Sequence, residues 1–372
     1  MSALNTRACL QLHSIPTLSD SLLSALILHY GSPGLAWESN FEEWAALGVS
    51  RNTIFAAKKA RGGRPPGIDI EAQLTTLEAL DAQVLALSDV AYPALLRTIY
   101  DPPPFLYCRG DPALLQQAQL AVVGSRKASP VGLRSTRALS RQLVEAGLHI
   151  CSGLALGIDG EAHRAALECG GHSVAVMATG IDVIYPAKHR QLAEQLVTGG
   201  CLVTEYPPGC RPERYRFPRR NRILSGLSLG VLVVEAALAS GSLITAGTAL
   251  EQGREVFALP WAALHQTGRG CLRLIRDGAK MVECIEDILD ELGPLYALQK
   301  GFLEPGLVSS DGPGEQAPPG YEKLLPMIGF EAVAVDELVH CSGLPVAQVM
   351  AALSALELEG LIARCAGGYI HC

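Results

Sequence analysis

Between Arg211 and Arg222 the chain carries six arginines, at positions 211, 214, 216, 219, 220 and 222, opposed by Glu213 alone. Tyr215 and Phe217 are interleaved with them and Tyr206 lies just upstream. Like charges packed so densely repel one another unless a polyanion lies across them or neighbouring acids pair with them. Guanidinium forks suit phosphate oxygens and flat rings stack on bases, so the segment fits a single-stranded nucleic acid bound without sequence preference. Pairing with acids such as Glu235 accounts for one or two of the arginines, with Arg220 and Arg222 the candidates.

Other segments have the makings of anion sites. Val122-Val123-Gly124-Ser125-Arg126 reads as an apolar strand that ends in Gly and Ser before a helix starting near Pro130. In a doubly wound sheet such a strand end faces the ligand crevice, so Gly124, Ser125 and Arg126 are candidate anion contacts beside the amides of a helix start; a plain surface arginine reads equally well. Ser240-Gly241-Ser242-Leu243-Ile244-Thr245-Ala246 repeats the pattern after the apolar run Val231 to Glu235, with anion binding or simple capping as its role. Tyr185-Pro186-Ala187-Lys188-His189-Arg190 offers Lys188 to a phosphate, or to solvent on an ordinary helix face. Ser152 to Gly160 imitates a dinucleotide fingerprint but lacks its first glycine; the same glycines also serve close helix-to-strand packing.

A catalytic set is not evident. Glu161 and His163 share a helical stretch without a nucleophile elbow or a P-loop lysine, so no enzyme activity, metal or cofactor is expected. The alternative is a Rossmann-like nucleotide-processing hydrolase that uses Glu235 or Glu251. A mononucleotide needs only two or three of the arginines, which favours a binding protein.

The elements that position these residues follow from hydrophobic patterning. Strands are predicted at Leu120 to Gly124, Leu148 to Ser152, Ser173 to Ala178, Cys201 to Glu205, Gly230 to Glu235 and Val256 to Leu259, alternating with amphipathic stretches such as Gly132 to Ala146 and Ile158 to Glu168. Continuous apolar strands separated by helices imply an α/β fold, a doubly wound parallel sheet covered on both faces. Residues 1 to about 62 read as a bundle of short helices with turns at Gly31 and Gly48, and 62 to 67 as a hinge. The Pro-rich run from 91 to 111 reads as too extended for helix. Glu322 to Met327, Ala334 to Cys341 and Val346 to Glu359, followed by a hairpin-like end, read as a winged helix. Glu331, Asp336, Glu337, Glu357 and Glu359 make that region acidic, so a protein-interaction or regulatory role is expected of it.

Charge follows the same organisation. The net of −7 hides a basic middle: residues 119 to 282 hold 19 Lys plus Arg against 12 Asp plus Glu, a net of +7, leaving −14 for the rest. The eleven cysteines are scattered without metal spacing and read as reduced, buried small residues. Apolar runs fall short of the roughly 18 residues of a membrane span and the N-terminus has no secretory pattern, so a cytoplasmic protein with no membrane contact is expected.

Gly124-Ser125-Arg126, Ser152 to Asp159 with His163, Tyr185-Pro186, Glu205-Tyr206-Pro207, Phe217 to Ser228, Val234-Glu235-Ala236, Ser240 to Ala246, Gly253-Arg254 and Gly278-Ala279 follow one another along the chain. In this ordered set the chain resembles the DNA-processing protein A family (DprA, also called Smf) of bacteria. The resemblance implies an extended Rossmann-like domain at 76–300, preceded by a helical domain of the SAM or helix-hairpin-helix type at 1–75. A linker at 301–318 and a winged helix at 319–372 follow. It further implies a protein that protects incoming single-stranded DNA during natural transformation, loads the RecA recombinase onto it, and forms a homodimer through the Rossmann domain. DNA contact carries to Arg126 and to the motif Phe217, Arg219, Arg220, Asn221 and Arg222, and less directly to Lys188; Ser125, Ser240, Gly241 and Ser242 complete the expected groove. Pro260-Trp261 and Leu272 depart from the family pattern and bear on the loop after the last predicted strand.

Overall fold

The computed structural model of the protein describes residues 3–62 and 69–293 and, in the C-terminal region, 335–346, 362–365 and 368–371 with isolated positions among them. Two compact units emerge, Met1–Leu303 and Glu304–Cys372.

The first unit begins with the expected bundle: α1 (Ala3–His13), α2 (Asp20–Tyr30), α3 (Pro33–Glu38) and α4 (Arg51–Arg61). Ser19, Ser32 and Ser50 start α2, α3 and α4 by accepting the amide three residues on. Gly31 and Gly48, at φ 80° and 85°, end α2 and a 3-10 helix in the left-handed region that side chains resist. Leu23, Leu26, Ile27, Trp37, Phe41 and Trp44 form the bundle's interior. Helix α5 (Ile70–Ala79) packs on α1, so the position expected to end the helical domain, 75, lies inside a helix. Most of the expected hinge lies outside the described residues.

Nine strands then build one sheet: β1 (Ala82–Ala86), β2 (Phe105–Gly110), β3 (Gln119–Gly124), β4 (His149–Ser152), β5 (Ser173–Val176), β6 (Gly200–Thr204), β7 (Gly230–Glu235), β8 (Glu255–Ala258) and β9 (Lys280–Met281). Their order is β1-β2-β6-β5-β4-β3-β7-β8-β9. From β6 to β9 the pairing is parallel, and all six predicted strands are among these. Strands β1 and β2 add an antiparallel edge that periodicity did not reveal. The Pro-rich run is corrected in part: Ala94–Arg97 is a helical turn, α6, held by burial of Leu96, and only the stretch after Pro104 is extended, as β2.

Successive strand residues face opposite sides of the sheet. Val231 and Val233 join Ile223, Leu224, Leu227, Ala246 and Cys271, which belong to α10 (Arg216–Leu227), α11 (Gly241–Glu251) and α12 (Arg269–Arg276). Leu232 and Val234 join Leu139, Leu143, Ile158 and Ala162 of α7 (Pro130–Glu145) and α8 (Ile158–Glu168). Further along that second face, Phe105, Tyr107, Ala175 and Leu202 share one apolar cluster with the N-terminal bundle and α9 (Arg190–Gly199). Both faces are therefore covered, as the unbroken apolar strands require. Five of the described cysteines, Cys9, Cys108, Cys151, Cys201 and Cys271, are buried in these layers.

In the second unit a helix, Val335–Ser342, and an antiparallel hairpin of β10 (Ile362–Cys365) and β11 (Gly368–His371) share a small core with Leu353 and Leu356. The expected linker lies outside the described residues, as does most of the expected helix at 322–327.

Candidate nucleic-acid interface

Strand order fixes where a ligand can sit. From β3 the chain steps outward through β4, β5 and β6, then returns to the other side of β3 with β7, so the connections leaving β3 and β7 diverge above their carboxyl ends. Gly124 pairs with Glu235 there, and the Ser125 amide donates to the Glu235 carbonyl at 2.7 Å. A cavity of about 830 Å³ opens above this point.

That cavity gathers most of the predicted contacts. Gly124, Ser125 and Arg126 border it from β3; Phe217, Arg220 and Asn221 from α10; Ser240, Gly241 and Ser242 from α11. Lys127, Arg214 and Tyr185 border it as well. Lys127 went unassigned in the sequence although it adjoins Arg126, and Tyr185, itself part of a motif, was given no contact role. Among the lining residues Asp159 is the lone carboxylate against Arg126, Lys127, Arg214 and Arg220, so the cavity is electropositive. The cavity's mouth is also aromatic. The Arg126 guanidinium lies 5.5 Å from the Phe217 ring centroid, and Tyr185 tilts against Phe217 with centroids 5.6 Å apart. Tyr185 is half exposed. Tyr215, the other stacking candidate, lies instead against Arg216.

Close approach holds Arg126 in position. Gly157 sits at φ 80°, and a Cβ there would overlap the Ser125 carbonyl oxygen, so glycine lets the loop after β4 press on the loop after β3. The Ile158 amide seals that contact by donating to the same carbonyl at 3.2 Å. The near-fingerprint glycines thus serve packing.

The two helix starts at the crevice differ. At α7 the Glu235 carboxylate accepts from the Ser129 amide and hydroxyl, at 2.9 and 2.8 Å, so the positive end of that helix already holds an anion of the protein itself. Glu235 therefore caps a helix and pairs with none of the arginines, contrary to expectation. At α11 the Ser240 hydroxyl accepts from Ser242 N, and this helix start borders the open cavity.

Structure also sorts the arginines. Arg220 is a buried part of the cavity floor and donates to the carbonyls of Gly153 (2.8 Å) and Val176. Burial holds it below the ordinary guanidinium range, partly countered by Asp159, whose own carboxyl burial lifts. Arg222 points away from the cavity: its Nη2 donates to Glu205 and its Nε to Asp101, both at 2.7 Å. Glu205, together with Asp101, thus takes Arg222, the role expected of Glu235. Arg219 pairs with Asp20 of α2, with Glu205 3.9 Å away, and like Arg222 borders a second, smaller cavity. Arg216 is tied to Glu213 and to the Arg211 carbonyl. Lys188 is exposed in a 3-10 turn outside the lining of the main cavity. Glu251 borders the second cavity.

His163 is fully buried, its Nδ1 2.7 Å from the Ser173 hydroxyl, and burial pushes its pKa down to about 3. It is a neutral core residue and lines neither cavity. Trp261, where the sequence departs from the family pattern, donates its indole N–H to the Val234 carbonyl and stacks on His265, folding the loop after β8 back to bring Thr267 to the cavity.

Residues 83–293 match the model of DNA recombination-mediator protein A, and residues 309–368 match that of the DprA winged helix domain. The chain belongs to the DprA/Smf family. It is 44% identical to Protein Smf of Escherichia coli over 307 residues, 82% of each chain. The crystal structure of DNA processing protein A from Streptococcus pneumoniae superposes with a TM-score of 0.68 at 37% identity, covering 77% of this chain and 97% of that one. DNA processing protein A from Helicobacter pylori, whose structure concerns a single-stranded DNA binding mode, superposes with a TM-score of 0.53 at 29% identity, covering 58% and 98%. The C-terminal hairpin and helix of the DprA/Smf chain are accordingly parts of a winged helix. Among its described residues no helix is long and apolar enough to cross a membrane.

Proposed function

We propose that this DprA/Smf family member binds single-stranded DNA in the cavity above β3 and β7 and hands the strand to the RecA recombinase during natural transformation, without catalysing a reaction. Carrying this reading is one observation: Arg126, Phe217 and Tyr185 form a cationic and aromatic face at the mouth of a cavity with a single lining carboxylate. Phosphates meet Arg126, Lys127 and Arg214, while unpaired bases stack on the rings; a duplex keeps its bases inside and gains nothing from them. The α11 start supplies amides and the Ser240 and Ser242 hydroxyls to a further phosphate. The relative from Helicobacter pylori, with its single-stranded DNA binding mode, supports the same reading. Protection of incoming DNA, homodimerisation through the Rossmann domain, a cytoplasmic location and a protein-binding role for the acidic winged helix complete the proposal.

Fluorescence anisotropy with labelled oligo-dT and with duplex of equal length, across a salt series, tests the binding step. Expected is a clear preference for the single strand, with log affinity falling against log salt by about 0.7 for each phosphate contacted. Equal affinity for the duplex overturns the stacking face, and absence of binding overturns the site.

A further inference from the structure

The second cavity, of about 540 Å³, shares Pro218 with the first and continues along the crevice between α10 and α11, from Ile244 and Thr245 to Thr248 and Gln252. Tyr100 borders it and is fully exposed, its ring backed by no cover from the protein. The cations beside it are already neutralised, Arg222 by Glu205 and Asp101 and Arg219 by Asp20, and Glu251 adds a further carboxylate. A phosphate gains little in such a place. A base does gain, because its flat face needs an aromatic partner and its N–H hydrogens, the ring imide of thymine included, need acceptors, which the Asp101 and Glu251 carboxylates supply.

We infer that this cavity is a base-binding subsite, in which Tyr100 stacks one base of the same strand whose phosphates lie in the main groove. The inference rests on the single-strand reading of that groove and adds a direction to it: the strand leaves over Pro218, toward Tyr100.

Because Tyr100 is exposed, Tyr100→Ala leaves the fold intact, which an unchanged melting temperature verifies. With oligo-dT of about 16 nucleotides, long enough to span both cavities, Tyr100→Ala is expected to weaken binding at least about fivefold, the low end of base–aromatic stacking, while the salt slope stays that of the wild type. Tyr100→Phe restores the affinity. With a strand too short to reach past Pro218 from the main groove, such as a dinucleotide, the wild type and Tyr100→Ala bind alike. If Tyr100→Ala binds the long strand as the wild type does while Phe217→Ala loses affinity, the subsite is wrong and the groove stands. A reduced salt slope in Tyr100→Ala replaces the base subsite with a phosphate contact. Should the wild type bind neither strand, the groove reading falls and the subsite falls with it.

Discussion

Arg126 and Phe217 reach each other from opposite walls of the cavity, one on the loop leaving β3 and the other in the first turn of α10, with the guanidinium 5.5 Å from the ring centroid. This contact joins the two functions that a single-strand site needs, charge for the backbone and a flat surface for a base.

The two halves separate by salt. Arg126→Ala is expected to lower single-strand affinity and to reduce the salt slope by about 0.7, one phosphate's share. Phe217→Ala is expected to cost about 1–3 kcal/mol of binding with an unchanged slope. Anisotropy titrations at several salt concentrations read both quantities, and a slope change in Phe217→Ala refutes the division of labour.

Gly157 links packing to binding. Gly157→Ala forces a side chain into a left-handed backbone and against the Ser125 carbonyl, for a loss of stability of about 1–3 kcal/mol. Because the loop that Gly157 presses on carries Arg126, single-strand affinity measured at a temperature where the variant is folded falls too. Loss of stability with wild-type affinity would show that Arg126 is positioned by other means.

The buried pair between Arg222 and Glu205 is predicted to act on stability and not on the groove. Arg222→Met strands Glu205 in the core, at a cost of about 3–5 kcal/mol in urea unfolding. Glu205→Gln is milder, because Asp101 still accepts from Arg222. The folded fraction of either variant is expected to keep the wild-type affinity for a strand short enough to occupy the main groove alone.

His163 makes stability depend on pH. In the unfolded chain it titrates near 6.5 and in the folded chain near 3. The stability contributed by keeping it neutral is present above pH 6.5 and is lost as the pH falls toward 3, by up to about 1.4 kcal/mol per unit. Between pH 6.5 and 5, before most carboxylates titrate, the unfolding free energy of His163→Gln is expected to fall less steeply than that of the wild type; parallel slopes would rule the histidine out.

Much of this protein was written locally. Unbroken apolar runs of strand length specify a covered parallel sheet, because a strand buried on both faces has no polar side; the β3 and β7 strands and helices α7 and α8 follow directly. The strand-end motifs at Gly124 to Arg126 and Ser240 to Ser242 then fall at the switch point, since strand ends in such sheets meet there. Strand β2 was hidden because Pro102, Pro103 and Pro104 mask its start and its partner β6 lies far along the chain, and β1 because it joins the sheet only through β2. The fate of each arginine in the run from 211 to 222 depends on what stands across from it: Glu205 and Asp101 before Arg222, Asp20 before Arg219, the carbonyls of Gly153 and Val176 before Arg220. One helix turns successive side chains by about 100°, so neighbours with the same charge meet different surroundings. Sequence thus determined that a basic, aromatic segment exists and that a crevice exists. Only the tertiary structure decided which cations remain free to face it, because pairing is a property of distances between segments remote in the chain.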